Sequence, residues 1–219
     1  MSDWRSHARR QEERYRDGDS RLRDAADDDA RQRQLTRMGN AAAGVGVALV
    51  MAGDTEPARE WFAKAVERYR ESYELAPPNS WGRPIGMLKA QILAGDWSGA
   101  EADADWTLEQ GAAAAESPIG RYAACLALLV LGRDEEARAL ADGLRTNEAF
   151  PAPVGDALAF IAAQDVLGYV DAIEAVLESF ETRDEYLEDL PVADTVMVLQ
   201  ALAGRREMAA ALSSPLLPG

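Results

Sequence analysis

Lysine and histidine are almost missing from this chain. Of 219 residues, only Lys64 and Lys89 are lysine and only His7 is histidine, whereas 21 are arginine. Cysteine is just as scarce. Cys125 stands alone, so there is no disulfide framework, and one His with one Cys rules out a zinc site built on those ligands. Cys125 lies in the apolar run Ala123–Leu129 and reads as a buried structural thiol; a catalytic thiol needs a base, and His7 is far away in sequence. Aromatic residues make up 7%, too few for a typical sheet protein. Long hydrophobic runs are also absent. The longest, Ala41–Ala52 and Ala123–Leu131, fall short of the roughly 20 residues that cross a bilayer. Met1–Arg10 has no apolar core, so no signal peptide is expected and the chain reads as cytoplasmic. Positive charge is short as well: 23 basic residues face 38 acidic ones, a net charge of −15. That balance argues against nucleic acid as a partner, because phosphates demand excess positive charge.

What remains is a helix-forming composition. The chain holds 42 alanines and is 47% hydrophobic, enough for closely packed helices around a real core. Two origins fit the acidic, lysine-poor balance: the cytoplasm of an extreme halophile, which we favour, or a GC-rich genome whose codons supply Ala and Arg.

Residues 1–37 differ from the rest. They carry ten Arg against nine Asp or Glu, whereas the remaining 182 residues carry the whole negative excess. This segment reads as a charged extension of one or two amphipathic helices, interrupted at Asp17-Gly18-Asp19-Ser20; the alternative is a mobile tail through about residue 20.

Residues 38–219 read as a repeat. Gly53, Gly95, Gly132, Gly168 and Gly204 each follow an apolar helical run, at spacings of 42, 37, 36 and 36. Five residues after four of them stands an alanine: Ala58, Ala100, Ala137 and Ala209. Each unit is then helix, tight turn, helix. The glycine supplies a left-handed stop, Asp54, Asp96 and Asp134 sit where a carboxylate caps the next helix, and the alanine lets the two helices close up. Pro77-Pro78, Pro118, Pro151 and Pro191 separate the units. A lone helical hairpin cannot bury its apolar face, so neighbours must stack.

These residues resemble the tetratricopeptide repeat, best in Gly53–Val66 and well in Gly95–Ala100 and Gly132–Ala137. The resemblance covers roughly residues 38–212 and implies an all-α solenoid of four to five hairpins. The usual first-helix Trp and Tyr positions are mostly absent, and the first spacing exceeds the family's. A narrower likeness, carried by Asn79–Pro84, Leu93–Trp97 and Arg183–Leu187, is to the predicted immunity proteins of family forty-nine. That resemblance implies a cytoplasmic protein that neutralises a toxin.

No set of residues reads as catalytic, metal-binding or cofactor-binding. Gly44-Val45-Gly46 lacks the third glycine and the preceding strand of a dinucleotide loop, and reads as close helix packing. The candidates are instead for protein binding. Trp81 and Arg83 lie in a Pro-flanked loop and are residue types enriched in hot spots, although Trp81 also suits a core. Aligning the units on their glycines puts Asn40, Lys89, Arg121 and Tyr122 on or beside the inner helix faces. Glu181, Glu185 and Glu188 would share one helix face, a surface for a basic partner. The expected function is protein binding, as an immunity protein against a basic toxin. A tetratricopeptide-like scaffold within a larger assembly is the alternative, and a homo-oligomer built through the N-terminal helices is a third.

Overall fold

The computed structural model describes residues 3–219. Among these it contains ten α-helices and no strand. Contacts divide the chain into two compact units. The first holds the described residues up to Asp96 with Glu185–Val192 and Pro218–Gly219; the second holds Trp97–Asp184 and Ala193–Leu217.

The first unit is built on α1 (Trp4–Arg23), α2 (Asp28–Met51), α3 (Thr55–Leu75) and α4 (Gly82–Ala94). α1 packs on α2, α2 on α3 and α3 on α4. The charged N-terminal segment is therefore docked, not loose. Ala8, Gln11, Tyr15 and Gly18 are buried at helical spacing along α1. The Tyr15 ring meets Trp61 edge-on at 5.4 Å, and its hydroxyl accepts from Arg68 Nε at 3.1 Å. The break expected at Asp17–Ser20 does not occur. Gly18 stays helical because it faces α2, where a Cβ would stand 2.5 Å from Met38 Cγ. α2 in turn starts at Asp28, with Asp27 as its cap accepting from Ala30 N–H, so position 37 falls inside an unbroken helix. The small residues of α2 do pack closely: a Cβ on Gly46 would lie 2.6 Å from the Phe62 ring, and one on Gly39 2.8 Å from Tyr69.

The second unit comprises α5 (Trp97–Glu109), α6 (Pro118–Val130), α7 (Asp134–Arg145), α8 (Ala152–Ala163), α9 (Val166–Glu181) and α10 (Asp194–Gly204). Successive helices from α5 to α9 pack on one another, and α10 rests on α8 and α9. α6 is the centre; every residue from Tyr122 to Val130 is buried. Cys125 lies there with its Sγ 3.5 Å from Ala137 O, and burial pushes its thiol up to about 12. It stays protonated at neutral pH and is no nucleophile.

One turn recurs five times. After α2, Gly53 takes φ +81°, Asp54 N–H donates to Leu49 O and Gly53 N–H to Val50 O. The same pair of bonds closes α4 at Gly95, α6 at Gly132, α8 at Gln164 and α10 at Glu207. The alanines expected to pack behind the first three turns, Ala58, Ala100 and Ala137, are buried. The last two turns depart from the expectation. Gly168 is not a turn but the third residue of α9, pressed against Phe160, and Gln164 takes the left-handed position at φ +54°. Gly204 ends α10, Glu207 is left-handed at φ +58°, and no second helix follows. Ala209 is exposed accordingly. Asp54 also departs from its expected role: its side chain makes no cap bond and accepts from Arg5 Nε and Nη2 at 3.0 and 3.2 Å, a charged donor outcompeting neutral amides.

A left-handed non-glycine residue costs roughly 1–2 kcal/mol. Gln164→Gly is therefore expected to stabilise the protein by about 1 kcal/mol, visible as a rise of roughly 2–4 °C in Tm. An unchanged or lower Tm would show that Gln164 is held without strain.

Candidate protein-binding surfaces

The nine residues picked from the sequence do not gather into one exposed set. In the first unit, Trp81 caps α4 and is a core residue, 3% exposed, 6.5 Å from the Tyr73 ring. Its Nε1–H has no hydrogen-bond partner. Arg83 is half-buried and committed inward: Nη2 donates to Gln32 Oε1 at 2.6 Å and Nε reaches Ser72 Oγ at 3.4 Å. Ser72 itself donates to Gln32 O, and shares a bond with Thr36, so Arg83 closes a polar network between α2, α3 and α4. Desolvation lowers its pKa without neutralising it. Asn40 accepts from Tyr69 O–H at 2.8 Å. Lys89 is half-buried on α4.

In the second unit, Arg121 Nε donates to Ala115 O at 3.1 Å, fixing the loop before α6. Tyr122 is buried against Phe150, and desolvation, with Asp194 nearby, raises its pKa. Trp81 and Tyr122 are therefore core residues, whereas Asn40, Lys89 and Arg121 are half-buried.

The acidic helix face is also redrawn. α9 stops at Glu181, where Thr182 turns its hydroxyl back onto Glu178 O. Glu185 is exposed beyond the helix, and Glu188 sits in a 3-10 turn with φ +56°. Glu181, Glu185 and Glu188 therefore share no helix face. Glu188 is held by α1: Arg14 Nη1 donates to its carboxylate at 2.8 Å and Gln11 Nε2 to its carbonyl at 2.7 Å. A different stripe emerges one turn earlier. Asp171, Glu174, Glu178 and Glu181 are all exposed, spaced three, four and three apart along α9. α9 contains no lysine or arginine to interrupt it. The Glu181 carboxylate accepts from Ser214 Oγ at 2.7 Å. The opposite side of α9 holds Tyr169, Ile173, Val176 and Phe180 in the core.

A groove of about 570 Å³ lies in the first unit, lined by Arg59, Phe62, Val66, Gln91 and Asp96 among others. Gln91 is 8% exposed and its Oε1 has no partner. Arg59 is spent locally, Nε on Ala94 O and Nη1 on Glu56. Among the described residues, no group of three or more His, Cys, Asp or Glu is arranged to hold a metal ion, and no helix is long and apolar enough to cross a membrane.

Compared with protein-family models, curated proteins and solved structures, the chain matches none.

The charge has a physical consequence that can be measured. Several arginines are paired close by in sequence, as in Arg16–Glu12, Arg33–Asp29 and Arg133–Glu136. Such exposed pairs contribute only about 0–1 kcal/mol each, so screening them costs little. The net −15 repels itself over longer distances and gains more from screening. Raising salt from ~0.1 to ~1 M shortens the Debye length from ~10 to ~3 Å, and Tm is expected to rise. A flat or falling curve would show that the local pairs outweigh the repulsion.

Proposed function

We propose that this chain is a non-enzymatic protein-binding module of stacked, tetratricopeptide-like hairpins that acts in the cytoplasm as an immunity protein, neutralising a basic toxin. The observation that carries the reading is the acidic stripe of α9, Asp171, Glu174, Glu178 and Glu181, on a chain of net charge −15. A rigid helix anchored by a buried face holds those carboxylates in fixed register, which steers and orients a positively charged partner. Toxins that cleave nucleic acids are basic because they grip phosphates, so they fit that surface. The recurrence of one helix stop five times supports stacked hairpins in general, and so also supports the second reading, a scaffold within a larger assembly.

The test is co-expression with the product of the adjacent toxin-like gene. Rescue of growth and co-purification are expected, and Asp171→Lys with Glu174→Lys and Glu178→Lys should abolish both while leaving the fold intact. Rescue that survives this reversal would move the interface elsewhere. A neighbour that stays toxic and never co-purifies would remove the immunity reading in favour of the scaffold.

A further inference from the structure

In the groove of the first unit, open space lies beside a polar atom that lacks a partner. The walls come from one face of α3, with Phe62, Ala63 and Val66, and from the last turn of α4, with Gln91 and Ala94. Phe62 is fully buried, whereas Ala63 is exposed and Val66 and Ala94 are half-buried, so the lining offers apolar surface to a ligand. Gly95 keeps the end of α4 open: it makes the left-handed turn at φ +70°, and a Cβ there would meet nothing within 4 Å. A volume of about 570 Å³ suits a small molecule.

The cation at the rim is already engaged. Arg59 bridges the two helices, Nε donating to Ala94 O at 3.1 Å and Nη1 to Glu56 at 2.7 Å. The unmet need is neutral. Gln91 is buried, and its Oε1 has neither a hydrogen-bond partner nor access to solvent. An orphan acceptor costs stability, which a ligand's donor restores. The backbone around it is fixed: Asp96 N–H donates to Gln91 O at 3.0 Å and Gly95 N–H to Ile92 O at 3.1 Å. The last torsion of the side chain is soft, so a turn about it presents the amide to the groove. The setting also selects the charge of the ligand. Gln91 and Ala94 lie at the negative end of the α4 dipole, in a turn without Lys or Arg, which favours a donor and opposes a carboxylate.

We infer that this groove binds a small neutral molecule carrying an amide N–H on an apolar body. Gln91 Oε1 accepts the N–H, and Phe62, Ala63, Val66 and Ala94 cover the body. Nε2 of the same side chain donates to the ligand's carbonyl, so a carboxamide pairs with it edge to edge. The inference stands apart from the protein-binding reading, which rests on α9.

The probe is benzamide. Toluene is the same ring without the amide, and benzoate is the ring with a charge in its place. Each is titrated into the full chain and followed by nuclear magnetic resonance at the backbone amides of Ala94 and Gly95. Benzamide should bind in the ~mM range of so small a ligand, and about tenfold more tightly than toluene or benzoate. Gln91→Leu nearly keeps the volume and removes the amide; benzamide should weaken about tenfold and fall level with toluene. Ala63→Trp fills the groove from an exposed position and should abolish binding of all three. Toluene binding as tightly as benzamide would leave only an apolar patch, and benzoate binding best would make Arg59 the anchor; either result overturns the proposal. Benzamide binding indifferent to Gln91→Leu or to Ala63→Trp does the same. Should Gln91→Leu fail to fold, Ala63→Trp still decides. Toxin neutralisation is assayed separately, so failure of either reading leaves the other standing.

Discussion

Gly155→Ala is expected to destabilise the protein by about 3 kcal/mol, while Gly143→Ala, on the neighbouring helix, should be neutral or stabilising. Both glycines lie inside helices, α8 and α7, where alanine is intrinsically better by about 1 kcal/mol. Their surroundings reverse the sign at one of them. A Cβ on Gly155 would stand 2.8 Å from the backbone nitrogen of Arg145 and 3.0 Å from its Cα, where α7 passes directly over α8. Backbone cannot step aside as a side chain can, so the two helices must separate, and Leu144 and Leu158, both fully buried, lose contact. On Gly143, by contrast, the nearest atom is Arg121 Nη1 at 3.8 Å, the mobile end of a long side chain. Thermal melts of the pair decide it. A Gly155→Ala protein within ~1 °C of wild type would mean that α7 and α8 slide freely, which their packing forbids.

The same residues show what could be read from the chain and what could not. Gly53, Gly95 and Gly132 announce their turns because glycine is the residue that tolerates positive φ. Gln164 and Glu207 make the same turn with the same two backbone bonds, yet carry no glycine to mark it. Gly168 and Gly204 stand nearby for other reasons, one pressed against Phe160 and the other at a helix end. The helical class was legible because alanine content and apolar periodicity are properties of each helix by itself. The burial of the candidate residues was not, because the fate of Trp81, Arg83 and Tyr122 depends on which neighbour covers them. A loop tryptophan between prolines looks available until Tyr73 is seen to lie against it. The acidic stripe of α9 was legible in principle: Asp171, Glu174, Glu178 and Glu181 follow helical spacing, whereas Glu185 and Glu188 lie past the end of the helix at Glu181.

Breaking the Arg206–Asp134 pair is the other change expected to cost most, and no sequence signal marked it. Arg206 follows α10, and its side chain is 9% exposed. It grips three elements at once. Nε and Nη2 take both oxygens of Asp134, at the start of α7; Nη2 also donates to Leu129 O at 2.9 Å, at the end of α6, and Nη1 to Leu202 O at 3.1 Å, in α10. Asp134 is the residue two positions after Gly132, where a helix cap was expected; its carboxylate instead serves as the counterion of a distant arginine. Asp134→Ala strands a buried guanidinium and is expected to cost about 3–5 kcal/mol. Arg206→Met removes the charge and keeps the length, leaving Asp134, 21% exposed, to recover water; it should cost about half as much. The double variant, with no charge left to strand, should be more stable than Asp134→Ala alone, with a coupling energy above about 1.5 kcal/mol. Urea melts of the four proteins close the cycle. If the two single costs simply add, the pair is a surface ornament, and α6, α7 and α10 are held together by apolar packing alone.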